Sequence, residues 1–194
     1  MYLGTSKKVL QDMKLFEEQL HPIYKGLYSY IYSIVRNPVL AEDILQNTLE
    51  KAYKSISTLQ QQKKFKSWIF TIAKNEAMTL VQKYRREFLV DAPQQDILMN
   101  EEQLLPEQLV LNKEIRSVII EIINSLKPEF RDILILRYYA ELSLDEISKV
   151  LNIKINTVKT RHMRAKQKII NELKNKELFK DHKYILAEGG KIDA

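Results

Sequence analysis

The chain has 194 residues, with 31 Lys and Arg against 25 Asp and Glu, a formal charge of +6 and an isoelectric point near 9.3, a balance that favours a polyanionic partner. It has no Cys, and His21, His162 and His182 are too scattered to form a ligand cluster, which excludes disulfides and thiolate zinc sites and makes a metal site unexpected. No run approaches the roughly 20 apolar residues of a membrane span, the first twenty residues are too charged for a secretion signal, and neither a phosphate-cradling glycine loop nor a nucleophile elbow is present, so the expectation is a cytoplasmic protein with no cofactor, no small-molecule substrate and no catalytic residues.

With only four Gly and little strand-like alternation, the fold class reads as all-α. Apolar periodicity predicts a helix around Leu15 to Val35, a turn at Arg36-Asn37-Pro38, a second helix from Val39 to Ile56 and a third from about Lys66 to Tyr84. Between Gln60 and Arg86 seven bases (Lys63, Lys64, Lys66, Lys74, Lys83, Arg85, Arg86) face one acid, and they interleave with Phe65, Trp68, Phe70 and Tyr84. That mixture suits single-stranded nucleic acid, held through phosphate contacts and base stacking. The competing reading buries Trp68, with Ile69 and Ile72, in the core of a small bundle.

Glu87 to Asn112 then carries six acids and no base, along with Pro93 and Pro106, and reads as an acidic linker. A strongly apolar amphipathic helix is predicted over Leu109 to Leu126, Lys127-Pro128 breaks it, and a further helix runs from Glu129 to Tyr139. The expected organisation is two small helical domains, 1–86 and 109–175, joined by the linker 87–108 and followed by a charged tail, 176–194.

Within the second domain, Ser143 to Ile169 reads as a helix-turn-helix. Ser143 and Glu146 form a capping box that starts a helix near Leu144, and Asn152 tolerates the left-handed conformation needed to end it. Asn156 is expected to cap a second, long helix from Val158 into Leu173. At about 100° per residue, that helix turns Val158, His162, Ala165, Ile169 and Leu173 inward. The opposite face carries Lys159, Thr160, Met163, Arg164 and Gln167, flanked by Arg161 and Lys168. From Lys154 to Lys176 eight bases face one acid, so this face can grip phosphates and reach base edges in a major groove.

Three segments in order across residues 20 to 173 resemble the extracytoplasmic-function (ECF, group IV) sigma factors of the bacterial sigma-70 family. LAEDILQNTLEKAYKS, residues 40 to 55, is similar to the family's helix that docks on RNA polymerase. FKSWIFTIAKNEAMTLVQKYRR resembles its melting and minus-10 segment, and residues 126 to 169 resemble its minus-35 reading domain. The resemblance implies a protein without enzymatic activity of its own that binds core RNA polymerase, recognises both promoter elements and promotes DNA melting. Asp43, Gln46 and Asn47 match the polymerase-contacting positions, Ile44 and Leu45 are expected beside them as apolar anchors, and Glu50 extends the row. Asn47 departs from the family's usual Glu.

The segment from Ser57 to Lys66 corresponds to the family's loop that captures a flipped minus-10 base. Lys63, Lys64, Lys66, Trp68, Asn75, Lys83, Arg85 and Arg86 are the candidates for minus-10 binding and melting. For the minus-35 element the set is Thr157, Lys159, Thr160, Arg161, Met163, Arg164, Gln167 and Lys168. By the same resemblance an anti-sigma factor is an implied partner, one that could hold the protein at the inner face of a membrane. Two rival readings are a helix-turn-helix regulator with an amino-terminal sensing or dimerising domain, and a helical adaptor whose basic faces bind acidic proteins.

Overall fold

A computed structural model describes residues 13–14, 16–59, 61–88 and 113–175. Among the described residues there is no strand, and seven helices of eight residues or more form two units. The first unit holds α1 (Tyr24–Val35), α2 (Pro38–Ser55) and α3 (Phe65–Phe88). The second holds α4 (Lys113–Ser125), α5 (Pro128–Tyr138), α6 (Leu144–Leu151) and α7 (Ile155–Asn175).

The helix expected over Leu15 to Val35 is interrupted. Residues 16–20 are helical, His21–Ile23 tightens into a 3-10 turn with Pro22 in it, and α1 restarts at Tyr24. Proline lacks the amide donor that a helix interior needs, so the chain changes its winding there. The turn before α2 forms as expected. Arg36 takes a left-handed φ of 50°, its N–H reaches the Tyr32 carbonyl at 2.8 Å, and Asn37 Oδ1 accepts from the Leu40 amide at 3.0 Å ahead of Pro38. α3 runs to Phe88, past the expected end at Tyr84 and two residues beyond the expected domain boundary. The rest of the expected linker and the whole of the expected tail, 176–194, lie outside the described residues.

In the first unit Phe16 meets Phe65 and Tyr53 edge-on, with ring centroids 5.6 and 5.7 Å away, while Tyr30 lies against Phe70 at 5.8 Å. Phe65, Ile69, Phe70, Ala73 and Ala77 are the buried face of α3. This corrects the aromatic surface expected there: Phe65 and Phe70 pack inward and cannot stack on a base, because two rings at that spacing fall on the side of α3 that meets α1 and α2. Trp68 is half-buried, tilted against Phe65 at 5.9 Å, and Ile69 is fully covered.

The core does not stop at the boundary between units. Ile133, Leu136, Ala140, Leu142, Ile147, Val150 and Val158 belong to the same apolar cluster as Leu27, Tyr30, Ile44 and Ile69. α5 packs against α1, and α6 against α3. Leu126, Phe130, Leu134 and Ala165 form a smaller cluster within the second unit.

Candidate nucleic-acid interface

The turn between α6 and α7 is built almost entirely from local hydrogen bonds. Ser143 Oγ accepts from the Glu146 amide at 3.2 Å, and Glu146 Oε2 accepts from the Ser143 amide at 2.8 Å, closing the expected capping box. At the other end of α6, Asn152 is left-handed at φ 55°, the Ile153 amide donates to the Ser148 carbonyl at 3.1 Å, and Ser148 Oγ donates to the Ile153 carbonyl at 2.7 Å. The Lys154 carbonyl accepts from the amides of Thr157 and Val158, so α7 starts at Ile155. Asn156 therefore sits in the first turn of α7 and does not cap it. Its carbonyl accepts the Thr160 hydroxyl at 2.9 Å.

The inward face of α7 follows the expectation: Val158 and Ala165 are fully buried, and His162, Ile169 and Leu173 are partly covered. His162 Nε2 lies 3.2 Å from the Tyr138 hydroxyl, and burial, with Lys166 and Arg137 nearby, holds its pKa below the usual histidine value. Charge is thus kept to the outer face. There Lys159, Thr160, Met163, Arg164, Gln167 and Lys168 are exposed and Thr157 is half-covered. Met163 is 64% exposed, an apolar side chain open on the same face as Lys159 and Arg164.

Lys159 and Arg164 have no partner among the described residues, so their charges are available. Arg161 and Lys168 are held instead by the start of α5: Arg161 Nη2 lies 3.7 Å from Glu129 Oε2, and the Lys168 ammonium sits 5.6 Å from the centre of the Phe130 ring. Both remain at the edge of the outer face of α7. Gln167 Nε2 donates to Asn171 Oδ1 at 2.9 Å.

A second basic surface follows α3. Lys64, Trp68, Thr71, Asn75, Gln82 and Arg86 recur at spacings of three, four and seven along one helical stripe. Lys63 and Lys64 are exposed in the turn Gln62–Lys64, and Asn75, Lys83 and Arg86 are exposed on the helix. Gln61 and Gln62 are exposed as well, whereas Gln60 and the Arg85 side chain fall outside the described residues. Lys66 is turned toward the second unit, its ammonium 3.6 Å from Glu141 Oε2.

The third surface is the outer face of α2, where Asp43, Gln46, Asn47 and Glu50 are all exposed. Glu50 pairs with Lys54, and the hydrogen bond from that ammonium holds the carboxyl below its usual range. Ile44, expected as an apolar anchor of this face, points the other way. At 3% exposure it fills the core with Leu45, since one residue past Asp43 rotates the side chain by about 100°. The exposed apolar residues near this face are Val39, at 68%, and Tyr53. Sequence periodicity did not single out Val39 as a surface contact because it lies in the first turn of α2, where no earlier helical turn sets its face.

Two further groups escaped the sequence reading. Arg131 is 5% exposed, donates to the Asn124 carbonyl at 3.4 Å, and its pKa falls to about 10 through burial and the nearby Arg36. Burial raises the Asp132 carboxyl to about 6, against the opposing pull of Arg131, Lys74 and Arg161. A single charged residue in an amphipathic helix carries no local signal that it will be enclosed.

Residues 21–87 match the family model for sigma-70 region 2, and residues 116–169 match that for sigma-70 region 4. The ECF RNA polymerase sigma factor SigW of Bacillus subtilis is 32% identical over 161 residues, covering 79% of this chain and 86% of the relative. SigM of the same organism, also an ECF RNA polymerase sigma factor, is 28% identical, covering 78% of this chain and 91% of its own. Among solved structures, RpoE of Bartonella quintana, in complex with the anti-sigma factor NepR, shares the fold with a TM-score of 0.67 at 24% identity, covering 82% of this chain and 96% of that one. CnrH, in complex with the cytosolic domain of CnrY, shares it with a TM-score of 0.58 at 17% identity, covering 86% and 95%. The amino-terminal unit thus matches region 2 in place of the sensing or dimerising domain that the alternative regulator requires.

Proposed function

Because the chain belongs to the sigma-70 family, in its extracytoplasmic-function group, and so serves RNA polymerase in promoter recognition and transcription initiation, we propose how its three surfaces divide that work. The outer face of α7, with Lys159, Thr160, Met163, Arg164 and Gln167, reads the minus-35 element, while Thr157, Arg161 and Lys168 fix its register on phosphates. The α3 stripe, with Lys63, Lys64, Lys66, Trp68, Asn75, Lys83, Arg85 and Arg86, holds the minus-10 strand as it leaves the duplex. The half-buried Trp68 offers part of its ring to that strand, whereas Phe65 and Phe70 pack inward.

Asp43, Gln46, Asn47 and Glu50 meet the polymerase, with Val39 as the apolar contact in place of Ile44. The functional units are residues 1–86 and 109–175, α3 extending the first to Phe88, with an acidic linker between them and a charged tail after. The chain supplies no catalysis, since polymerase carries out the chemistry, and it acts in the cytoplasm, where polymerase is. By analogy with RpoE and CnrH, an anti-sigma factor holds it inactive.

The observation that carries this reading is the exposed, unpartnered pair Lys159 and Arg164 on a helix set by a capped three-residue turn, in the same chain as the α3 stripe. Footprinting of a transcribed promoter with the reconstituted holoenzyme should show two protected blocks and permanganate-reactive thymines at the downstream one. Protection confined to a single block would contradict the division.

A further inference from the structure

Met163 has the most exposed methionine side chain among the described residues, at 64% against 42% for Met13 and 40% for Met78. It belongs to neither apolar cluster, so the packing of the second unit does not depend on it. Single exposed apolar side chains are ordinary on a protein surface, and what sets Met163 apart is its company. It lies one helical turn after Lys159 and one turn before Gln167, with Thr160 and Arg164 beside it, in the middle of the outer face of α7. The chain has no Cys, so no thiol competes for an oxidant and the thioethers of its methionines are its only sulfur.

A peroxide converts a thioether in one step. The sulfur lone pair attacks one peroxide oxygen, the O–O bond breaks, an S=O bond forms, and the second oxygen leaves as water. Sulfur loses two electrons and the peroxide gains them, so that thioether and hydrogen peroxide give sulfoxide and water. A flexible apolar side chain thereby becomes polar, with an oxygen that accepts hydrogen bonds and no hydrogen to donate. In a major groove acceptors outnumber donors: guanine N7 and O6, adenine N7 and thymine O4 stand beside amino groups on adenine and cytosine alone. An added acceptor is repelled there, and apolar contact with the thioether is lost.

We propose that Met163 is a redox modification site: oxidation of its thioether by a hydroperoxide switches off minus-35 reading by α7, and reduction of the sulfoxide restores it. The inference rests on the functional reading above and adds a reversible chemical control to the same face.

The test treats the full chain alone with hydrogen peroxide and removes the peroxide with catalase before core polymerase is added. Peptide mass spectrometry should show Met163 gaining one oxygen ahead of Met13 and Met78. Holoenzyme made with the oxidised chain should bind a transcribed promoter at least about fivefold more weakly, the loss of one base-edge contact. Binding to the same promoter with a scrambled minus-35 element should hardly change, and helicity by circular dichroism should be unaltered. Methionine sulfoxide reductases A and B, one for each sulfoxide epimer, should return the affinity.

Each variant is compared with itself before and after peroxide. Whatever its starting affinity, Met163→Leu should keep it through the treatment, because it has no sulfur to oxidise. Met163→Gln, polar and of similar length, should bind near the oxidised level with no peroxide at all. Met163 sulfoxide formed with no loss of affinity would overturn the inference. So would a Met163 that stays unoxidised while Met13 and Met78 react, or an equal loss in the Met163→Leu chain. Run-off transcription separates the two levels: an untreated chain that never transcribes with core overturns the functional reading and this inference with it, whereas transcription unchanged by Met163 oxidation overturns the modification site alone.

Discussion

Lys74 of α3 and Leu151 at the end of α6 are joined by a 3.1 Å hydrogen bond from ammonium to backbone carbonyl, 77 residues apart in the chain. The bond ties the helix proposed to hold the opened minus-10 strand to the helix that supports the minus-35 reader. A carbonyl at a helix end has no partner within its own helix, so the Lys74 charge satisfies a group that would otherwise need water.

Arg164 is the most direct test of minus-35 reading. It is exposed and unpaired on the outer face of α7, so Arg164→Ala removes a contact without disturbing the core. Discrimination against a minus-35 mismatch should fall by about 1 to 3 kcal/mol in competition binding with holoenzyme. A uniform loss across all sequences would make Arg164 a phosphate contact instead.

Asp43→Ala and Gln46→Ala together should weaken binding to core polymerase by about tenfold, of order 1.4 kcal/mol, with thermal unfolding unchanged, because both side chains are exposed on α2. Ile44→Ala should behave in the opposite way. Its side chain is buried, so it should cost about 2 to 5 kcal/mol of stability by denaturant titration. Core affinity lost only in proportion to unfolding would show that α2 presents no polymerase contact at Asp43 and Gln46.

The capping box sets where α6 begins, so Ser143→Ala should destabilise the helix-turn-helix by about 1 kcal/mol, read as a lower urea midpoint. Glu146→Ala in the same background should add little, because the two residues act as one unit. Fully additive losses would mean that the reciprocal bonds are independent.

Asp132 predicts a pH dependence of defined sign. Burial raises its carboxyl to about 6, so between the unfolded value near 4 and about 6 the folded chain binds more protons than the unfolded one. Its contribution to stability therefore falls as pH climbs through that window and stays low above it. Asp132→Asn removes the penalty, so the variant's stability relative to wild type should improve by about 2 kcal/mol between pH 4.5 and pH 8. A difference that does not change with pH would place Asp132 in a solvated environment.

The parts of this structure that follow local rules were legible in the sequence. Ser143 with Glu146, Asn152, Pro38 after Asn37, and Pro128 after Lys127 each specify a helix boundary through bonds within a few residues. The outer face of α7 was equally legible, since one-sided charge at helical spacing leaves few ways to bury the helix. What periodicity could not resolve was direction within an apolar run. Ile44, Phe65 and Phe70 all turn inward because three helices meet there, and α7 begins at Ile155 because the Lys154 carbonyl takes over the start that Asn156 was expected to make. The contacts between units were wholly invisible: Gly26 against Tyr139 and Lys74 against Leu151 join residues far apart in sequence, with no spacing signal at either end.

Run-off transcription with purified core RNA polymerase and a library of genomic fragments tests the central claim most directly. Transcripts should start at discrete sites only when this chain is present, and Arg164→Ala should shift the use of those sites according to their minus-35 sequences. Failure to initiate at any fragment, with the same core active alongside another sigma factor, would contradict the account.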